Sequence, residues 1–175
     1  LFELKTYSDW STVNNSDYES WFIHSTGGND YDHRVYNTAS SSMYFMKPNV
    51  SLTPDKTYHS WADYYTSVVL TALSTYPQYD GVFCDEVESN VSESGYSASY
   101  SFPTSIWEPG LIPFETYWEP RTIEFMAYLQ GNLQDMIALA NSYRTDTMFA
   151  ENSTGYNMWE GFLHGRSVNV TTKGY

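Results

Sequence analysis

The chain has 175 residues, with 8 basic and 21 acidic side chains, for a formal net charge of −13. Hydrophobic residues make up 41% and charged residues 17%, a balance that suits one folded domain over residues 1–175 and excludes a disordered segment. That acidity speaks against nucleic acid or an anionic membrane as partner, and no apolar run nears the roughly 20 residues of a membrane span.

In chain order, Trp21-Phe22-Ile23 is a short apolar run closed by His24 and the turn residues Ser25-Thr26-Gly27-Gly28, and it predicts a strand. Residues 29–42 are polar and serine-rich and predict a loop. Met43-Tyr44-Phe45-Met46 is a second short run, ended by Pro48. A helix follows, with Thr53 or Ser60 as its cap and Pro54 suited to a first turn. Trp61, Tyr64, Tyr65, Val68, Val69, Ala72 and Leu73 recur at helical spacing along its apolar stripe, and Tyr76-Pro77 stops it.

Val82-Phe83-Cys84 comes next and ends in Asp85 and Glu86. The run does not alternate, so it predicts a strand buried on both faces, as in a parallel sheet covered by helices. Chemistry in such sheets gathers at the carboxyl ends of the strands, where Asp85 falls. Residues 88–119 carry no period but hold many aromatics, including Trp107 and Trp118, and predict a long loop, either functional or packed onto the domain as a strap.

Pro120 then suits the start of a second helix, with Ile123, Met126, Ala127, Leu133, Met136, Ile137 and Ala140 on its buried face and Asn141-Ser142 at its end. Gly131 weakens that helix by about 1 kcal/mol relative to Ala. Thr147-Met148-Phe149-Ala150 predicts a strand ending in Glu151-Asn152, and Tyr156-Asn157-Met158-Trp159 another, ending in Glu160. Alternation of strands and helices implies parallel strands joined by helical crossovers. The expected class is α/β, of the (β/α)8 TIM-barrel type. Four or five strands are too few to close a barrel of about 250 residues, so a partial barrel or a segment of one is expected. The chain begins at Leu1, not Met, and reads as a mature or excised segment of a longer protein.

Asp85, Glu151 and Glu160 each end a predicted strand, and parallel neighbours would bring them to one rim. Two carboxylates across a cleft are what glycosidic cleavage needs: one protonates the leaving oxygen, the other attacks the anomeric carbon or activates water. Acidic residues at strand ends also cap helices or pair with surface bases, and the pattern alone does not separate these readings. Aromatic residues, 18% of the chain, suit sugar stacking as well as core packing. Trp107, Trp118 and Trp159 are the candidate platforms, and His24, Glu86 and Asn152 are further candidates for holding substrate.

Neither a cofactor nor a metal is expected. His24 and His164 lack His-Glu-X-X-His spacing, and the acids at 85, 86 and 88 lack the glycine and periodic oxygens of a calcium loop. Cys84, the only cysteine, reads as a small buried hydrophobe. Asn-X-Ser/Thr sequons at Asn14, Asn49, Asn90, Asn152 and Asn169 point to an exported, glycosylated, extracellular or cell-surface protein.

Several of these segments, in the same order from about residue 20 to 165, resemble a family of glycoside hydrolase-like proteins with a (β/α)8 barrel. That family lies near the endo-α-1,4-polygalactosaminidase and α-galactosidase-like groups. Trp21-Phe22-Ile23-His24 with Gly27-Gly28 is similar to its Trp-Phe-Leu-His-then-Gly segment. Met46-Lys47-Pro48 followed by Trp61 and Tyr64 is similar to its Pro…Trp-X-X-Tyr stretch. Tyr79-Asp80-Gly81-Val82-Phe83-Cys84-Asp85 is similar to its Tyr-Asp-Gly-Val-Phe-Leu-Asp strand. Phe149-Ala150-Glu151-Asn152 and Trp159-Glu160-Gly161-Phe162 resemble later strand ends.

The resemblance implies hydrolysis of α-linked sugars, with Asp85 at the end of barrel strand four as nucleophile and Glu160 at the end of strand six as acid/base. Glu151 is the alternative acid. The chain departs from the family in its long aromatic stretch 88–119 and in lacking strands one, two, seven and eight. The competing expectation is a non-catalytic, exported structural or carbohydrate-binding protein that reuses the barrel and self-associates into an oligomer or filament through exposed strand edges.

Overall fold

A computed structural model of the chain describes residues 3–5, 10–25, 27–37, 40–85, 87, 114–142 and 157–159. Among these described residues, six strands fall into two three-stranded sheets. The first is antiparallel, with β1 (Glu3–Lys5) and β2 (Tyr36–Asn37) flanking β3 (Ser40–Phe45). The second is parallel, in the order β4 (Gly81–Cys84), β5 (Ile137–Ser142), β6 (Asn157–Trp159). Among the same residues, three α-helices accompany them: α1 (Trp10–Val13), α2 (Trp61–Thr75) and α3 (Phe114–Leu133).

The antiparallel sheet is more regular than the sequence suggests. Tyr36 and Asn37 pair with β3, and β3 itself starts at Ser40, so part of the predicted 29–42 loop is sheet. Conversely, Trp21 closes a 3-10 helix (Ser16–Trp21) instead of opening a strand. Isolated bridges, Phe22 to Met46 and His24 to Arg34, and backbone bonds such as that from Ile23 N to Phe45 O at 3.0 Å join this segment to its neighbours. The cause is burial of the indole: Trp21 is fully enclosed and donates from Nε1 to Thr53 Oγ1 at 3.1 Å, which fixes the turn that presents it.

Helix α2 forms where its period requires. Ser60, not Thr53, is the cap: its Oγ accepts from Asp63 N at 3.2 Å, while Asp63 Oδ2 accepts from His59 N at 2.9 Å. The predicted stripe is buried at Trp61, Tyr64, Val69 and Leu73, while Val68 stands exposed at its margin.

Helix α3 starts earlier and ends earlier than the sequence predicts. It begins at Phe114, and Pro120 lies inside it. A proline there lacks the N–H for the helical ladder, at a cost of about 3 kcal/mol. Packing offsets that cost. Trp118, 1% exposed, stacks on Phe45 with ring centroids 5.2 Å apart, and holds the first turns against the antiparallel sheet.

The helix stops at Leu133 because Gln134 takes φ 56°, a left-handed conformation that ends the ladder. Gln130 then clamps the turn, donating from Nε2 to Met136 O at 2.8 Å and accepting at Oε1 from Ala138 N at 2.9 Å. Ile137–Ser142, predicted as helix, is therefore strand β5. Short apolar runs satisfy both periods, and here the turn decides between them.

The pairing of β4 with β5, with α3 between them in sequence, is a parallel β-α-β unit. Gly81 is obligatory in it. A Cβ at that position would lie 2.0 Å from the Ile137 carbonyl oxygen. One face of the sheet is core: Cys84, Ala138 and Ala140 are buried with Phe125, Met126 and Leu129 of α3. The other face is open. Phe83 is 48% exposed and Ile137 37%. The expectation of a strand buried on both faces is thus corrected, since alternation in exposure marks a sheet covered on one side.

Candidate active site

Asp85 follows β4 directly and is exposed at its carboxyl end. In a pleated strand it shares the face of Phe83, the open one. Register places Cys84 beside Ala140, so the next residues, Asp85 and Asn141, fall side by side. Asn141 Nδ2 donates to Asp85 Oδ1 at 2.7 Å. The Val87 amide donates to Asn141 O at 2.9 Å and holds the chain beyond the carboxylate against the same residue. An amide donor from the neighbouring strand restricts the orientation of the carboxylate it bonds.

Asn141 is 5% exposed. Reading Asn141-Ser142 as a helix end hid it from the sequence argument. The signal was present in Ile137-Ala138-Leu139-Ala140-Asn141, an apolar run closed by a polar residue, the same form as Val82-Phe83-Cys84-Asp85. Strand β6 lies parallel on the far side of β5, with Ser142 opposite Trp159. Its run toward Trp159 matches the predicted strand 156–159. Glu160 follows next in sequence and, with Glu86, Trp107, Glu151 and Asn152, lies outside the described residues, as does the predicted strand 147–150.

Other candidates fall elsewhere. Trp118 is a core residue and not a sugar platform, because Phe45 and the helix enclose it. His24 is 2% exposed, and its Nε2 lies 2.8 Å from Glu19 Oε1. It is one of two partners of that carboxylate. Arg34, 4% exposed, donates from Nε to Glu19 Oε1 at 2.8 Å, reaches Oε2 with a second nitrogen, and donates from Nη1 to Asn14 Oδ1 at 2.7 Å. Its guanidinium also lies 3.6 Å from the Phe22 ring centroid and 4.8 Å from that of Tyr31. Burial alone would raise the Glu19 carboxyl, but the hydrogen bonds from Arg34 and His24 outweigh it and hold it below its ordinary value.

Of the sequons, Asn14 bonds to Arg34, and Asn49 accepts from the Tyr117 hydroxyl. Asn90, Asn152 and Asn169 lie outside the described residues. Cys84 is buried, and burial pushes its thiol up to about 11 even though a hydrogen bond to Tyr65 favours the thiolate. Among the described residues, no cluster of three or more His, Cys, Asp or Glu could hold a metal ion. Among the same residues, no helix is long and apolar enough to cross a membrane.

Comparison with known protein families, with curated proteins and with solved structures finds no match to this chain.

Proposed function

We propose that the chain is a glycoside hydrolase-like protein of the (β/α)8 class that cleaves α-linked sugars with two carboxylates, Asp85 as nucleophile and Glu160 as acid/base. The observation that carries this reading is the exposed Asp85 carboxylate at the carboxyl end of a parallel strand, oriented by Asn141 from the next strand. Strand β6, which leads to Glu160, stands two strands from β4. At about 4.8 Å per strand, the β4 and β6 backbones run roughly 10 Å apart, the order of spacing that a two-carboxylate site requires. The Tyr-Asp-Gly-Val-Phe-X-Asp resemblance adds support. Glu151 is the alternative acid.

The test is hydrolysis of α-galactosides and α-1,4-linked galactosaminides, read as reducing-sugar release. Asp85→Asn should abolish release with an unchanged melting temperature. Full activity in that variant would overturn the assignment.

A second reading is an exported, carbohydrate-binding or structural protein without catalysis that associates with further copies of itself. It is favoured by the half-exposed Phe83 and Ile137 on the open sheet face. Sedimentation over a wide concentration range separates the two: a strictly monomeric protein rules out self-association.

A further inference from the structure

The antiparallel half of the molecule carries a cleft of about 540 Å³, and its lining includes Asn14, Glu19, Asn29, Asp30, Tyr31 and Arg34. We propose that this cleft binds a neutral pyranose ring, independently of any chemistry at Asp85.

The floor is prearranged. Arg34 and His24 hold the Glu19 carboxylate in one orientation, and its side chain is still 20% exposed. Its charge is balanced locally by Arg34, which also fixes the Asn14 amide by donating to its Oδ1 at 2.7 Å. Asp30 is engaged in turn by His33 at 2.6 Å. A cation would meet carboxylates already committed to bases. An anion would meet two carboxylates and only one guanidinium, itself paired. Neutral hydroxyl groups suit this set: they donate to fixed carboxylate and amide oxygens and accept from amide N–H groups.

Tyr31 supplies the remaining element. It is 53% exposed, and its hydroxyl accepts from Tyr44 Oη at 2.9 Å, which pins the ring at the cleft. An aromatic surface beside convergent polar groups matches a ring that is apolar on its C–H face and polar at its edge. The volume admits one or two such rings.

The pyranose can arrive as free sugar or as the first residue of a glycan on Asn14, which heads the sequon Asn14-Asn15-Ser16. The first arm of the test uses ¹⁵N-labelled protein made in bacteria without N-glycosylation. It is titrated separately with galactose, N-acetylgalactosamine and N-acetylglucosamine. At least one should give saturable amide shifts at Asn29, Tyr31 and Arg34. Tyr31→Ala and Asn29→Ala should each weaken binding by about tenfold, and Asp85→Asn should leave it unchanged. Absence of saturable shifts with all three sugars, or full affinity in both cleft variants, overturns the proposal.

The second arm uses protein from a secretory eukaryotic host. Free-sugar binding that persists there assigns the cleft to exogenous sugar. Binding lost there and restored by Asn14→Gln assigns it to the attached glycan.

Discussion

Asn141 Nδ2 donates to Asp85 Oδ1 at 2.7 Å, which ties the ends of two adjacent parallel strands together through a strand-end carboxylate. Removing the donor separates orientation from chemistry. In Asn141→Ala, Asp85 keeps its charge but loses this donor, so turnover should fall more than substrate affinity. Kinetics of Asn141→Ala beside Asp85→Asn would check this. Equal activity in Asn141→Ala and wild type would mean that the contact does not position the carboxylate.

Two glycines should respond to alanine in opposite directions. Gly81 faces the Ile137 carbonyl oxygen at 2.0 Å from where a Cβ would sit, and the atoms it would meet are all backbone of Ile137, which has little room to shift. Gly81→Ala should destabilise by about 1–3 kcal/mol. Gly131, exposed in α3, has nothing within 4 Å of its would-be Cβ. Gly131→Ala should stabilise by about 1 kcal/mol. Urea denaturation of both variants tests the pair.

Acid should weaken the antiparallel half through Glu19. Its carboxyl titrates below its ordinary value in the folded chain, so the unfolded chain binds the proton more readily. The stabilisation is therefore complete above the ordinary carboxylate value and disappears as pH falls through the lower, folded one. Glu19→Gln should flatten this part of the stability profile, measured by thermal melts across the acid range. An unchanged slope would remove Glu19 as its source.

Cys84 should be inert. Its thiol is buried and titrates near 11, so almost no thiolate exists at neutral pH. Reaction with a disulfide reagent should proceed only at the rate of unfolding. Fast labelling of the native protein would show that the β4 core face opens.

Sequence reading located Asp85 at the end of a strand because an apolar run closed by a carboxylate is a local signal. It also placed α2, whose stripe and capping serine are local. It misplaced α3 and β5 because their limits depend on distant packing. Trp118 needs Phe45 to make helix around Pro120, and Gln134 needs a left-handed turn that no composition rule demands. Trp118 illustrates the same point for function: an aromatic residue reads alike whether it meets a sugar or another ring. The Glu19–Arg34 pair escaped notice because its two members lie on different segments, with no motif to join them.

The two halves of the fold draw their contacts from different distances along the chain. Arg34 reaches Glu19 across 15 residues, whereas Asn141 reaches Asp85 across 56. Shorter closures cost less entropy, so the antiparallel unit should assemble first and the strand-end carboxylate acquire its anchor late. Pulsed hydrogen exchange during refolding should protect the Ile23, Val35 and Phe45 amides, all bonded within the first unit, before those of Val87 and Ile137. Simultaneous protection would mean one cooperative step. On the staged view, a partly folded chain already holds its Glu19–Arg34 pair before Asp85 and Asn141 meet, so the two units pass through a stage in which only the first is built.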